Sequence, residues 1–532
     1  MSGTRACLLF VPLLVSLLAP VAAAGPATQE CVKSCKQETR ACEQTRCTGL
    51  PEPARRTCVE TCRGIGGCAH IRTFAYVVST CTAHAFHQKF QIRHGNCDPI
   101  TLLDFPEPVE TPPSLCANLG MARSGFSTGP IFGAFQRLGV SPDGRHVVFE
   151  VTDDFTGLRN LTVLRTPLVP PGQPKGIFVV RADGRGLRRL GPASRDPAFR
   201  FTFDPATGDV RASQSPIFSF SPDGREVVLT DLGPGPRGEE AVQLFTLDLV
   251  TGRRAQVTHL PVVADRPVAP LILVPAIYAP IFLADGRIAF ESFGNLDGSN
   301  PEGNWLEFVV NRDGSGLKGV PLPVVLAGSR AVPIFGIEGG GARRRADVLS
   351  LPGTPVNPGA AGFRDTIVEI FFVDGKNFLQ LTDFRRVDTE SPTLTPDGQH
   401  VIFRASADPF GTNRSGTCQL FSISPRGTGL RQLTHFSQPE YSVAGCFAFT
   451  PPGCVIFPFN GADPATGTLV FWASCDPFGT NPYGDQLFAI RVDGTELRQL
   501  THARGLATEP DGTVSTENIG PFAYSAIVSG QH

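Results

Sequence analysis

The sequence is poor in tryptophan and tyrosine, and neither sign of charge dominates it. It holds two Trp and five Tyr against 39 Phe in 532 residues. Sugar-binding platforms rely on Trp and Tyr, whereas Phe mostly fills cores, so the composition disfavours carbohydrate binding. A formal net charge of −2 offers no general attraction to nucleic acid, and we expect no nucleic-acid partner.

Long apolar runs are missing except at the amino terminus. There, Arg5 precedes an apolar run over residues 6–24 that ends in three alanines. This order of charge, apolar run and small residues is typical of a secretory signal peptide. We therefore predict a signal peptide at 1–24, a periplasmic or secreted protein, and no membrane span after cleavage.

Cysteine is abundant, with fourteen residues after the leader. An even number in an exported chain favours disulfide bonds over metal sites. Ten cluster before residue 117 and four lie in the last quarter of the chain. The disulfide candidates are Cys31, Cys35, Cys42, Cys47, Cys58, Cys62, Cys68, Cys81, Cys97, Cys116, Cys418, Cys446, Cys454 and Cys475.

The early cysteines indicate a small helical module. Cys31 and Cys35 are four residues apart, as are Cys58 and Cys62, which places each pair on one helical face. Two antiparallel helices would let Cys31 face Cys62 and Cys35 face Cys58. Apolar spacing predicts a third helix over 71–81.

Turn-forming residues mark where this module ends. We predict a Cys-rich helical domain at 25–104 and a proline-rich linker at 105–117. The remainder, 118–532, is predicted to form one β domain. Gly and Pro together, 57 and 48 residues, favour many short strands and turns there.

From about residue 130 onward the chain repeats itself. One half of the repeat is a strand, a Pro-Asp-Gly-like turn and a second strand, as in VSPDGRHVVF (140–149) and LTPDGQHVIF (394–403). The other half is a hairpin that occurs six times, as in QLFSISPRGTGLRQLTH (419–435) and QLFAIRVDGTELRQLTH (486–502). Four short strands per unit are typical of a propeller blade. The segment 518–528 is expected to add a closing strand, with a partial extra blade as the alternative.

These repeats resemble the TolB-type (WD40-like, PD40) propeller repeats, whose unit runs Ser-Pro-Asp-Gly, strand, loop, strand, Asp-Gly, strand, Leu-Thr. The resemblance implies an all-β fold, a six-bladed β-propeller of four-stranded blades, here preceded by the small disulfide-rich α-helical domain. It also implies a protein of the bacterial envelope that acts by binding other proteins. The α/β domain that precedes the propeller of TolB has no counterpart in this sequence.

The irregular sequence should lie on one face of the propeller. Loops between the second and third strands and crossovers between blades share a face, and here both are long. Two of these middle loops are near copies, 408–413 and 476–481. Their oxygen ligands, Asp408, Asn413, Asp476 and Asn481, would suit calcium. The favoured alternative is that these residues cap their own turns while Phe410 and Phe478 pack between blades.

Three histidines follow the ends of equivalent strands on the same face: His259, His435 and His502. A ring of imidazoles would bind a transition metal, as in the metal-dependent pectate-fragment lyases built on a similar propeller. The favoured alternative is that they are ordinary residues of the repeat.

The four late cysteines are expected to crosslink the propeller through disulfide bonds. Cys446 and Cys454 flank a Pro-Pro-Gly turn, and Cys418 and Cys475 lie in neighbouring middle loops. This pairing is one of three connectivities.

Together these features predict an exported, non-catalytic propeller that recognises a protein partner through its long-loop face. We expect no cofactor, with calcium as the alternative. The alternative function is a metal-assisted polysaccharide lyase or hydrolase.

Overall fold

The computed structural model describes residues 31–58, 73–108, 135–151, 176–320, 330–356 and 367–524, with gaps inside these ranges. The predicted signal peptide and Asn481 lie outside the described residues, as do the side chains of Cys35, Cys42, Cys62, Cys68, Cys81 and Cys116.

Six sheets correspond to the six repeats and confirm the predicted propeller of four-stranded blades. Blade 1 comprises β4 (Phe135–Val140), β5 (His146–Val151), β6 (Gly176–Arg181) and β7 (Arg188–Gly191). Blade 2 comprises β10 (Ser219–Phe220), β11 (Glu226–Pro234), β12 (Glu240–Asp248) and β13 (Arg254–Gln256). Blade 3 comprises β16 (Tyr278–Phe282), β17 (Ile288–Ser292), β18 (Leu306–Val310) and β19 (Lys318–Gly319).

The remaining three blades follow the same antiparallel order. Blade 4 comprises β20 (Arg330–Ala331), β21 (Arg344–Leu351), β22 (Ile367–Asp374) and β23 (Asn377–Gln380). Blade 5 comprises β24 (Glu390–Leu394), β25 (Val401–Ala405), β26 (Gln419–Ile423) and β27 (Arg431–Gln432). Blade 6 comprises β28 (Thr468–Ala473), β29 (Gln486–Arg491) and β30 (Arg498–Gln499), with Ile456 bridging to Ala473 at its inner edge.

The Ser-Pro-Asp-Gly turns form because their own side chains complete the turn. In blade 2 the Ser221 hydroxyl donates to Asp223 at 2.6 Å, and the amide of Ser221 donates to the carbonyl of Glu226 at 2.8 Å. Gly224 has a φ of 70°, which favours glycine because other residues are strained there. The hydrogen bond from Ser221 lowers the pKa of Asp223, so the turn is stabilised by an ionised carboxylate.

A five-stranded sheet completes the ring and joins both ends of the chain. It contains β1 (Thr73–Cys81), β2 (Ala85–His94), β3 (Ile100–Pro108), β31 (Gly505–Thr508) and β32 (Val514–Tyr524), in the order β3-β2-β1-β32-β31. We call it the closing sheet. Tyr76 and Ile519 pack with Leu487 of blade 6, while Phe90 contacts Phe149 of blade 1 with ring centroids 4.6 Å apart. The ring therefore holds six repeat blades and one closing sheet between blades 6 and 1.

The closing sheet corrects the predicted amino-terminal organisation. The predicted helix over 71–81 is wrong, because Thr73–Cys81 is a strand. Ala75, Tyr76 and Val77 are all buried, since one face of this strand meets blade 1 and the other meets blade 6. Burial on both faces removes the alternation that identifies a strand. Strands over 73–108 also place the start of the propeller before residue 118 and occupy part of the predicted linker.

Helical structure is described only between residues 31 and 58, including a π-helix at Glu43–Cys47. Two disulfides are described for this segment, Cys31–Cys97 and Cys47–Cys58. The predicted pairs Cys31–Cys62 and Cys35–Cys58 are therefore wrong. Cys97 lies in the loop between β2 and β3, so the first bond ties the helical segment to the closing sheet, a neighbour that cysteine spacing does not reveal.

The late cysteines form Cys418–Cys446 and Cys454–Cys475. The predicted pairs Cys446–Cys454 and Cys418–Cys475 are wrong. Cys446 and Cys454 both lie on the chain entering blade 6, yet each bonds to a middle loop instead of to the other. All four are buried in one apolar cluster between blades 5 and 6.

Two further hairpins lie on the crossovers from blade 1 to 2 and from blade 2 to 3. They are β8 (Thr202–Asp204) with β9 (Asp209–Arg211), and β14 (Arg266–Ala269) with β15 (Ile272–Val274). Strands β9 and β15 lie next to each other. Because crossovers and middle loops share a face, these hairpins enlarge the same face as the loops 408–413 and 476–481. We call it the long-loop face.

Candidate binding face

The loop over 408–413 is held by its own polar side chains. The amide of Asn413 donates to Oδ1 of Asp408 at 2.7 Å. Asn413 is buried, and its Nδ2 donates to the carbonyls of Ala407 and Thr417 at 3.0 and 2.8 Å. In the matching loop of blade 6, the amide of Thr480 donates to Oδ1 of Asp476 at 2.7 Å. These contacts are those of turn-capping residues.

Phe410 and Phe478 are not packed between blades, contrary to the expectation from sequence. Their side chains are 50% and 48% exposed. Each precedes a glycine with positive φ, 72° at Gly411 and 67° at Gly479, at the apex of its turn. The aromatic ring therefore projects from the loop and contributes little to the core.

A threonine in each loop fixes it to the fourth strand of its blade. Thr480 donates to Oε1 of Gln499 at 3.0 Å, and that glutamine donates to the carbonyl of Thr501 at 2.7 Å. In blade 5, Thr412 donates to Gln432 at 3.1 Å, and Gln432 donates to Thr434 at 2.7 Å. In each of these two blades, one glutamine side chain thus joins the middle loop to the crossover.

Beneath the crossovers of blades 2, 5 and 6 lies a buried Gln–Thr pair, one glutamine on the third strand and one threonine after the fourth. In blade 5, Thr434 donates to Gln419 at 2.7 Å, and Gln419 in turn donates to the carbonyl of Phe436 at 2.7 Å. The amide of Leu420 donates to the Thr434 hydroxyl at 2.9 Å. Equivalent pairs are Gln243 with Thr258 in blade 2 and Gln486 with Thr501 in blade 6. Buried polar groups satisfied in this way make the crossovers rigid.

The three histidines lie beside these crossovers, exposed and in separate blades. Gln432 donates through Nε2 to Nδ1 of His435 at 3.2 Å, and Gln499 does the same to His502 at 3.3 Å. Nδ1 of His259 lies 3.1 Å from both Gln256 and the carbonyl of Pro234. Within the described ranges, no three His, Cys, Asp or Glu side chains are grouped as metal ligands. The structure therefore does not bring these histidines together.

Blade 3 contains a third copy of the loop that sequence reasoning missed. The amide of Asn300 donates to Asn295 at 2.9 Å, and Nδ2 of Asn300 donates to the carbonyl of Asn304 at 2.8 Å. The sequence Gly298-Ser299-Asn300 could have identified this loop, because it matches Gly-Thr-Asn in blades 5 and 6. At the position of the exposed phenylalanine it carries Asp297, which accepts from the amide of Gly319 at 2.7 Å. Only two of the three described copies thus present an aromatic ring.

Structural comparisons find propellers of several activities. TolB from Acinetobacter baumannii is 13% identical over 85% of this chain and 82% of that one, with a TM-score of 0.33. Oligogalacturonate lyase from Vibrio parahaemolyticus is 10% identical over 77% and 86%, with a TM-score of 0.41. The β-propeller domain of the Trilobed protease from Pyrococcus furiosus is 12% identical over 80% and 96%, with a TM-score of 0.40.

No family model and no curated protein matches the chain. The predicted propeller of six repeat blades is confirmed by the sheets of the structure. Within the described residues, no helix is long and apolar enough to span a membrane. The four disulfides between described cysteines are consistent with an oxidising compartment.

Proposed function

We propose that this chain is an exported, non-catalytic β-propeller of the bacterial periplasm or exterior that binds a protein partner through its long-loop face. Phe410 and Phe478 are its principal contact residues. The exposure of these two rings on otherwise well-braced loops is the observation that carries the proposal.

The loop chemistry supports this role because every other described polar contact in the loops serves the fold. Asp408, Thr412 and Asn413 are engaged in holding the turn and joining it to the fourth strand. Phe410 and Phe478 are large apolar side chains that stay about half exposed, where an aromatic ring gains little for folding. Rigid aromatic side chains on a braced surface are favoured as contact residues, since little entropy is lost when they bind.

The metal-assisted alternative has no comparable support. His259, His435 and His502 lie in different blades. Oδ1 of Asp408 accepts from the amide of Asn413, and Oδ1 of Asn413 accepts from Gln419 on β26. We therefore retain the binding role alone.

Site-specific photocrosslinking in the source cells tests this proposal. A photoreactive phenylalanine analogue replaces Phe410, Phe478 or, as a control, Val250, which is 74% exposed on the opposite face in the turn between β12 and β13. We expect the same discrete protein adduct from positions 410 and 478, identified by mass spectrometry, and none from 250. Equal adducts from all three positions, or none from the two loops, would contradict the proposal.

A further inference from the structure

The interface between blades 3 and 4 differs from the other blade interfaces at three core positions. The strand register defines equivalent positions in the six repeat blades. In the third strand, the residue before the recurrent phenylalanine is Leu or Ile in five blades, but it is Glu307 in blade 3. The five apolar equivalents are fully buried: Ile177, Leu244, Ile370, Leu420 and Leu487.

The second strand of blade 4 shows the same kind of replacement from the other side of the interface. Asp347 pairs with Phe371, and Arg345 pairs with Val373. Both positions are apolar in the other five blades. The equivalents of Asp347 are Phe149, Leu229, Phe290, Phe403 and Phe471, and those of Arg345 are Val147, Val227, Ile288, Val401 and Leu469.

The three charged side chains face one another across the interface. Arg345 donates through Nε to both carboxylate oxygens of Asp347 at 2.9 Å, and both residues are buried. Glu307 interacts electrostatically with this pair. Its Oε1 is buried and has no hydrogen-bond partner among the described residues. Arg345 therefore acts on two carboxyl groups, Asp347 by direct hydrogen bonds and Glu307 electrostatically.

Among the described side chains, the cations that act on Glu307 are Arg345 and Arg287. Glu291 pairs with Glu307 in register on the neighbouring strand and adds a third carboxyl. Arg287 acts on it from a distance and lies at the surface in an ion pair with Asp285 at 2.7 Å. After the fourth strand, the amide of Val320 donates to the backbone carbonyl of Glu307 at 2.8 Å. The side chain of Val320 is apolar.

Such an environment favours the neutral form of a carboxyl group. Burial raises the pKa of Glu307 to about 7, although Arg345 opposes the shift. Burial also raises the pKa of Asp347. Glu307 is half-buried overall, but ionising a carboxyl whose Oε1 is buried without a hydrogen-bond partner is costly, and this group lies where blades 3 and 4 meet.

We propose that the interface between blades 3 and 4 is a proton-dependent seam, which is closed when Glu307 is protonated and loosens when Glu307 ionises. The folded state holds its proton more tightly than the unfolded chain. The stability from this group is therefore fully present below the unfolded pKa and is lost as the pH rises towards and through about 7. The ring would open first at this seam.

Hydrogen exchange of the full chain at about pH 5.5 and about pH 8, corrected for intrinsic exchange rates, tests the proposal. We expect the opening constants of β18 and β21 to rise on the order of tenfold at the higher pH. Strands β26 and β28, at the apolar interface of blades 5 and 6, should change far less. This comparison is made within the wild-type protein and needs no variant to fold.

Variants then assign the effect to one carboxyl. Glu307→Gln keeps the shape and cannot ionise, so β18 and β21 should exchange alike at both pH values. Glu302→Gln, an exposed acid of the same blade, serves as the matched control and should behave like wild type. The proposal is overturned if β18 and β21 are no more pH-sensitive than β26 and β28, or if Glu307→Gln keeps the wild-type dependence.

Discussion

The hydroxyl of Thr412 donates a hydrogen bond to Oε1 of Gln432 at 3.1 Å, which joins the middle loop of blade 5 to its fourth strand. Thr480 and Gln499 repeat this contact in blade 6 at 3.0 Å. Because each glutamine also donates to the crossover, the loop and the crossover are held as one unit. The exposed phenylalanine of each loop is therefore presented on a braced support.

The Gln–Thr pair beneath the crossover is expected to be important for stability. Gln419→Leu would leave the Thr434 hydroxyl without its acceptor, and the amide and carbonyl of Phe436 without the partners that Gln419 supplies. We expect the free energy of unfolding to fall by about 2–4 kcal/mol, measured by urea denaturation. The control Gln399→Leu changes an exposed glutamine and should cost less than about 0.5 kcal/mol. Equal effects of the two substitutions would show that the pair is not a stabilising feature.

The sequence was sufficient to predict the six repeat blades because each repeat carries its own turn chemistry. Asp-Gly turns and alternating apolar strands are local signals, and the structure places them as expected. The expected strand over 518–528 is found in part as β32 (Val514–Tyr524). The amino-terminal strands of the closing sheet were missed because they pair with the opposite end of the chain and β1 is buried on both faces. Burial of Ala75, Tyr76 and Val77 in succession depends on two neighbours that no local pattern describes.

The disulfides and the exposed rings were mispredicted for related reasons. Spacing placed Cys31 near Cys62, but the partner of Cys31 is Cys97 in a later loop. Phe410 was expected to be buried because phenylalanine usually is. Its exposure depends on the turn conformation and on the contacts of Asn413, which use the interior of the loop. Such long-range contacts are set by the tertiary fold.

The bond between Cys418 and Cys446 should stabilise blades 5 and 6. It closes a chain segment with a sequence separation of 28 residues, which restricts the unfolded state. Replacing both cysteines with serine is expected to cost about 3 kcal/mol in a thermal or urea unfolding experiment. Alkylation of the denatured but unreduced wild-type protein should leave both thiols unlabelled. Labelling of either cysteine, or an unchanged unfolding midpoint in the double variant, would contradict the assignment.

The closing sheet is expected to unfold together with the repeat blades. Phe90→Ala removes a fully buried ring that contacts Phe149 of blade 1. We expect a loss of about 3–5 kcal/mol in the transition followed by tryptophan fluorescence, which reports on Trp472 in β28 of blade 6. Phe378→Ala, at a position 39% exposed, is the control and should have little effect. A Phe90→Ala protein whose tryptophan transition is unchanged would mean that residues 73–108 form a separate unit.

The most direct test of the binding role is the affinity of the propeller for the protein captured by crosslinking, measured by titration calorimetry. We expect Phe410→Ala and Phe478→Ala each to weaken binding by about 1–3 kcal/mol, roughly five- to 150-fold, while leaving the unfolding midpoint unchanged. Val250→Ala should leave both quantities at the wild-type value. Wild-type affinity in the double phenylalanine variant would contradict the account.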